Sequence, residues 1–235
     1  MIGRVATLVA KTQLTRGRLI ALLGIGAFAV FLGVVIGLGD SARQTSETLE
    51  TTQGYGLQLL APVVALVLAS AALGDFVDDR TLVYLWLRPV PRWQIATGAA
   101  LASIGTALPL VVIPITLLAY LGSADTTVAL GALAASFVAT LGYAGVFLAI
   151  GFKVRRALVW GLAYILIWEG FLANSVSFCA KLSVSVYARS LLQHIAEGEL
   201  PKHASTTTAA VIWPVVVAIG AIAITARWLQ TTEVA

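Results

Sequence analysis

Long apolar runs separated by short charged turns set the pattern of this chain. Residues 19–38 hold twenty positions without a charge, enough for a helix to cross a hydrocarbon core of about 30 Å. Runs of the same character follow at 55–74, 93–121, 127–151, 157–173 and 208–226, so the pattern predicts six transmembrane helices. Pro62 lies near the start of the second run, and Pro109 and Pro114 lie inside the third, where they should kink it. The predicted fold class is an all-α polytopic membrane protein, with residues 1–235 forming a single transmembrane domain. No internal repeat and no separate soluble domain is visible.

Three stretches break the pattern. Residues 1–18 place Arg4, Lys11, Arg16 and Arg18 among Ile2, Val5, Leu8, Val9 and Leu14. That helical spacing predicts an amphipathic helix lying in the headgroup region, with a disordered basic lead as the competing expectation. The lead is too long and too mixed in polarity to read as a cleaved signal. Residues 174–207 interleave Val176, Phe178, Leu182, Val184, Tyr187 and Leu191 with serines and with Lys181, Arg189 and Gln193. Such a segment is too polar to span and too apolar to float free, so a semi-apolar outer segment of short surface-lying or re-entrant helices is expected. The third stretch, 75–92, reads DFVDDRTLVYLWLRPVPR and concentrates Asp75, Asp78, Asp79, Arg80, Arg88 and Arg92 between two spans. A short interfacial helix is expected over 81–87, stopped at Pro89, with Pro91 free to open the next helix.

Composition narrows the class. The chain is 59% hydrophobic and 11% charged, against about 25% charged in soluble domains. Its one cysteine, Cys179, excludes a disulfide framework and a thiolate-rich metal site. The net charge of +4 does not call for nucleic acid, because its distribution tells more than its sum. With the N-terminus inside, the inner segments hold Arg4, Lys11, Arg16, Arg18, Arg80, Arg88, Arg92, Lys153, Arg155, Arg156 and Arg227. The outer segments hold Arg43, Lys181, Arg189 and Lys202. This bias places both termini and the 75–92 loop in the cytoplasm.

Candidate chemistry is sparse. There is no Gly-x-x-x-x-Gly-Lys-[Ser/Thr] run for nucleotide, no His-Glu-x-x-His and no Gly-x-Ser-x-Gly, so the chain is not expected to be an enzyme by itself. Glu169 is the one ionisable residue inside a predicted span. A carboxylate at that depth costs about 3 kcal/mol on insertion scales unless it is paired, protonated or wet. It either faces a polar pathway or partner subunit, or anchors the packing through Tyr164, Asn174 or Ser175. His194, Glu197, Glu199 and His203 are close in sequence, but Pro201 spoils a fixed geometry, and a solvated turn with no metal is expected. Gly33-x-x-x-Gly37 has the spacing that lets another helix approach the first span closely.

The residues Asp79, Thr81, Leu82, Leu85, Pro89 and Arg92 together resemble the cytoplasmic loop of the permease subunits of ATP-binding-cassette exporters, those of the drug and polysaccharide type. In that family an acidic residue precedes a Thr-Leu pair, a few apolar residues, Pro-x-x-Arg and the next span. Arg80 and Ala99 depart from it, standing where glycine and lysine are common. Trp168-Glu169-Gly170 is similar to a Trp-Glu-Gly element of the family's fifth span. The resemblance extends over the whole chain, through the amphipathic lead, six spans and outer segment. It implies that Asp78, Asp79, Arg80, Thr81, Leu82, Leu85, Trp86, Arg88, Pro89 and Arg92 couple the spans to a separate cytoplasmic ATPase. That partner would bind ATP and Mg; this chain would carry no cofactor. It further implies a pathway formed with a second permease copy or homologue, with Gly33, Gly37 and Glu169 at the pathway or dimer interface. The plasma or inner membrane of a bacterium or archaeon is the implied location. The alternatives are an ATP-independent secondary transporter or channel, and a non-transporting scaffold for membrane assembly.

Overall fold

In hydrocarbon every backbone N–H and C=O needs a partner in the protein, and a long uniformly apolar segment finds them within itself as a helix. The computed structural model describes residues 2–40, 43–78, 91–198 and 204–231, and every regular element among them is helical. Five helical runs are long and apolar enough to cross a membrane, which makes this a multi-pass membrane protein. They are α2 (Arg16–Gly37), the run Gln44–Asp75, α5 (Arg92–Ser123), α6 (Thr126–Lys153) and α11 (Thr207–Thr231). The second run is composite: α3 (Gln44–Thr51), a π-helical stretch Thr52–Leu60, and α4 (Ala61–Asp78). Pro62, the second residue of α4, has no N–H to bond back into that stretch, which loosens the turn before it.

The predicted fifth span at 157–173 takes a different form. It is α7 (Ala157–Ala163) followed by a π-helical stretch Tyr164–Leu172, an apolar helix shorter than the other five. Helical conformation continues through α8 (Ala173–Ser175), and α9 (Ser177–Ala180) and α10 (Val184–Ile195) follow. The predicted coupling loop falls largely on residues 79–90, outside the described residues.

The amphipathic lead is shorter than expected, and it is held by protein. Helix α1 (Ile2–Gln13) ends before Thr15, and Arg16 and Arg18 already belong to α2. Val9 is 1% exposed, and a Cβ on Gly98 of α5 would lie 2.9 Å from Val5 Cγ1. Fully buried Gln13 ends the helix as a polar knot. Its Nε2 donates to Leu68 O of α4 at 3.0 Å and to Ser103 Oγ of α5 at 2.9 Å, while Thr106 Oγ1 donates to its Oε1 at 3.2 Å. An amide satisfied on both sides ties α1 to two spans at once.

Small residues form the seams between spans, as helices without a hydrophobic drive toward one another require. Along α2 and α5, Gly26 meets Pro114, Gly33 meets Leu118 and Gly37 meets Leu121, so the two helices run parallel. A Cβ on Gly33 would come within 2.7 Å of the Leu118 backbone. The Gly-x-x-x-Gly spacing therefore serves a contact inside the chain. Between α4 and α6, a Cβ on Gly151 would reach 2.6 Å from Ser70 Cα. Helix α10 lies antiparallel on α6: Val184 packs on Gly142, and Leu192 and Ile195 pack on Gly131. It starts about midway along α6 and runs back toward that helix's N-terminal end. Large apolar side chains such as Ile20, Phe31, Trp160, Ile167 and Phe171 stay exposed and offer the lipid-facing surface.

Candidate functional site

The ends of α4 and α5 that flank residues 79–90 belong to one braced face of the bundle. Asp75 of α4 takes a two-pronged ion pair from Arg18 of α2, with Nη1 to Oδ2 at 2.8 Å and Nη2 to Oδ1 at 3.2 Å. The planar guanidinium matches both carboxylate oxygens, which fixes geometry as well as charge. Arg92, the first residue of α5, donates through Nη1 to Leu229 O at 3.0 Å and Gln230 O at 2.7 Å. It thus caps the carbonyl end of α11, where unsatisfied backbone oxygens and the helix dipole favour a cation. Lys153, closing α6, sits 5.6 Å from the Trp228 ring centre. With Gln13 behind them, these contacts join α1, α2, α4, α5, α6 and α11 at one end.

Of the residues implied in coupling, Asp78 closes α4 and Arg92 opens α5. Asp79, Arg80, Thr81, Leu82, Leu85, Trp86, Arg88 and Pro89 lie outside the described residues. Gly33 and Gly37 are placed against α5 of the same chain.

The second polar centre is built around Glu169, fully buried in the π-helical stretch. Its Oε1 accepts from Tyr164 Oη at 3.0 Å and from the Val184 backbone N–H at 3.2 Å. Its Oε2 accepts from the Ser183 hydroxyl in a short bond and from the Ser185 backbone N–H at 3.2 Å. Four donors around one carboxylate explain how an acid is held this deep. Two of them are backbone amides at the start of α10, where the first N–H groups of a helix lack intrahelical partners and the dipole favours negative charge. Ser183 adds the cap itself, accepting from Val186 N–H at 3.3 Å.

The sequence offered Tyr164, Asn174 or Ser175 as anchoring partners of Glu169, and Tyr164 is one of them. Among the described residues the other donors come from 183–185, beyond α9, and Ser183 and Ser185 carried no sequence signal that set them apart from neighbouring serines. A ladder of rings leads from α6 to this centre, Tyr143 to Phe147, Phe147 to Tyr164 and Tyr164 to Trp168, at 5.9, 5.9 and 6.4 Å between ring centres.

Among the described residues no group of His, Cys, Asp and Glu is placed to hold a metal. His194 Nδ1 lies 2.7 Å from Ser190 O, and Glu197 occupies a left-handed turn at φ 53°; Glu199 and His203 are outside the described residues. No family model and no curated protein matches the chain.

Proposed function

We propose that this chain is the permease subunit of an ATP-binding-cassette transporter of the exporter type. It forms a translocation pathway as a dimer and is driven by a separate cytoplasmic ATPase that binds ATP and Mg. The observation that carries the proposal is the braced face flanking the 79–90 loop. Asp75 and Arg92, on either side of that loop, are tied respectively to the start of α2 and the end of α11. A push on the loop would reach the first and last long helices together, as coupling to a motor requires. The residues of the loop's motif support the same reading, as does the excess of basic residues in the segments at that end. In this proposal the membrane is the plasma or inner membrane of a bacterium or archaeon, with both termini cytoplasmic.

The affinity-tagged chain, extracted from its native membrane in mild detergent, should recover a cassette ATPase in stoichiometric amount. Recovery of a folded chain alone would favour an ATP-independent transporter, a channel or an assembly scaffold.

The proposal also takes Ala157–Leu172, extended by α8, as a sixth crossing. Accessibility reporters at Asp125 and Ser205 should then read outside, and those at Arg155 and Thr231 inside. Arg155 and Ser205 on one side would remove that crossing.

A further inference from the structure

We propose that a cleft between α2, α4, α6 and α7 is a binding site for the phosphate head of an anionic phospholipid. The cleft has a volume of about 310 Å³, and Arg18, Ser70, Asp75, Arg156, Leu158 and Val159 are among its lining residues. It lies where apolar helices give way to charge: α2 begins at Arg16, and α6 ends at Lys153 before Arg155 and Arg156. That boundary is the level of lipid headgroups.

Charge and shape both select the ligand. Two guanidinium groups and one carboxylate line the cleft, leaving it with one net positive charge, the complement of a phosphodiester monoanion. Arg18 spends two N–H donors on Asp75, and a guanidinium has five, so donors remain for a phosphate oxygen. Asp75 holds that guanidinium in place beforehand, which lowers the entropy cost of binding. Arg156 is exposed and sits in a left-handed turn at φ 59°, between the end of α6 and the start of α7. The wall beside it is apolar and open: Leu158 is 52% and Val159 64% exposed. A soluble anion would gain nothing from that wall, whereas a lipid lays its acyl chains along it. Basic pockets between spans at headgroup level are suited to anionic lipid.

The test uses the full chain purified in detergent with equal phosphatidylglycerol and phosphatidylcholine, counting retained lipid by native mass spectrometry. Wild type should retain phosphatidylglycerol about fivefold over phosphatidylcholine, the ratio one well-placed cation supports. Arg156→Gln should bring the ratio to parity, and Arg156→Lys should restore most of it. Arg156→Asn, which tolerates the left-handed turn better, checks that backbone strain is not the cause. Arg227→Gln removes one charge from an exposed position near the end of α11 and should leave the ratio unchanged. Equal retention of both lipids by wild type, persistent selectivity in Arg156→Gln, or an equal loss in Arg227→Gln would overturn the proposal. So would displacement of the lipid by millimolar inorganic phosphate, which would make the cleft a soluble-anion site.

Discussion

Glu169→Ala should lower the stability of the detergent-solubilised protein by about 3 kcal/mol and loosen the segment from α9 to α10 first. The substitution strands the Tyr164 hydroxyl and the Val184 and Ser185 amides, and leaves the Ser183 hydroxyl only Ser185 Oγ, 3.0 Å away, to donate to. Each buried donor left without a partner costs about 1–3 kcal/mol, and partial rearrangement keeps the total below the simple sum. The cost concentrates on α10 because its N-terminus loses both a carboxylate and the group that orients its Ser183 cap. Cys179 offers a direct readout, since it is the chain's only cysteine, is 7% exposed, and lies in α9 just before Ser183. Its labelling by a thiol reagent should accelerate at least tenfold, about 1.4 kcal/mol of local opening. Glu169→Gln should fall between, because one amide oxygen still accepts while its NH2 faces donors. Unchanged labelling and unfolding temperature in Glu169→Ala would mean that the four hydrogen bonds do not hold α10.

The same centre shows what sequence could and could not reveal. Glu169 stood out as a lone acid in an apolar run, because hydrocarbon makes any such residue costly. Its partners did not stand out. Two are backbone amides, which every residue owns, and Ser183 becomes a partner only once the chain reverses at α9. Gly33 and Gly37 were similarly visible as a seam, but spacing alone cannot say whether the opposing helix belongs to the same chain. Leu118 and Leu121 of α5 supply that answer. Gln13 gave no signal, since one amide in a basic lead resembles any solvated side chain. Arg92 was picked out by Pro-x-x-Arg, yet its hold on α11 joins residues 137 and 138 positions apart. Apolar length is a local property and was readable; the polar ties are long-range, and the folded bundle creates them.

Under the proposed permease function, replacing Leu85 and Trp86 together by Asp should reduce ATPase recovery by more than tenfold while leaving insertion intact. In a helix over 81–87, Leu82, Leu85 and Trp86 fall at i, i+3 and i+4 and share one face. On a helix that only rests on headgroups, that face meets lipid. In a docked loop it fills a groove on the partner, and each buried Leu or Trp contributes about 1.5–3 kcal/mol. Losing either contribution exceeds the 1.4 kcal/mol that separates tenfold steps in affinity. The described spans should survive, because α4 ends at Asp78 and α5 begins at Arg92, outside the altered positions. Asp78, Asp79 and Arg80 should add a contribution that fades with salt, so raising ionic strength should weaken wild-type recovery modestly. Pull-down of the ATPase by equal amounts of membrane-inserted wild type and variant makes the comparison. Equal recovery would assign Leu85 and Trp86 to the lipid surface and remove the best residue-level support for the proposed coupling.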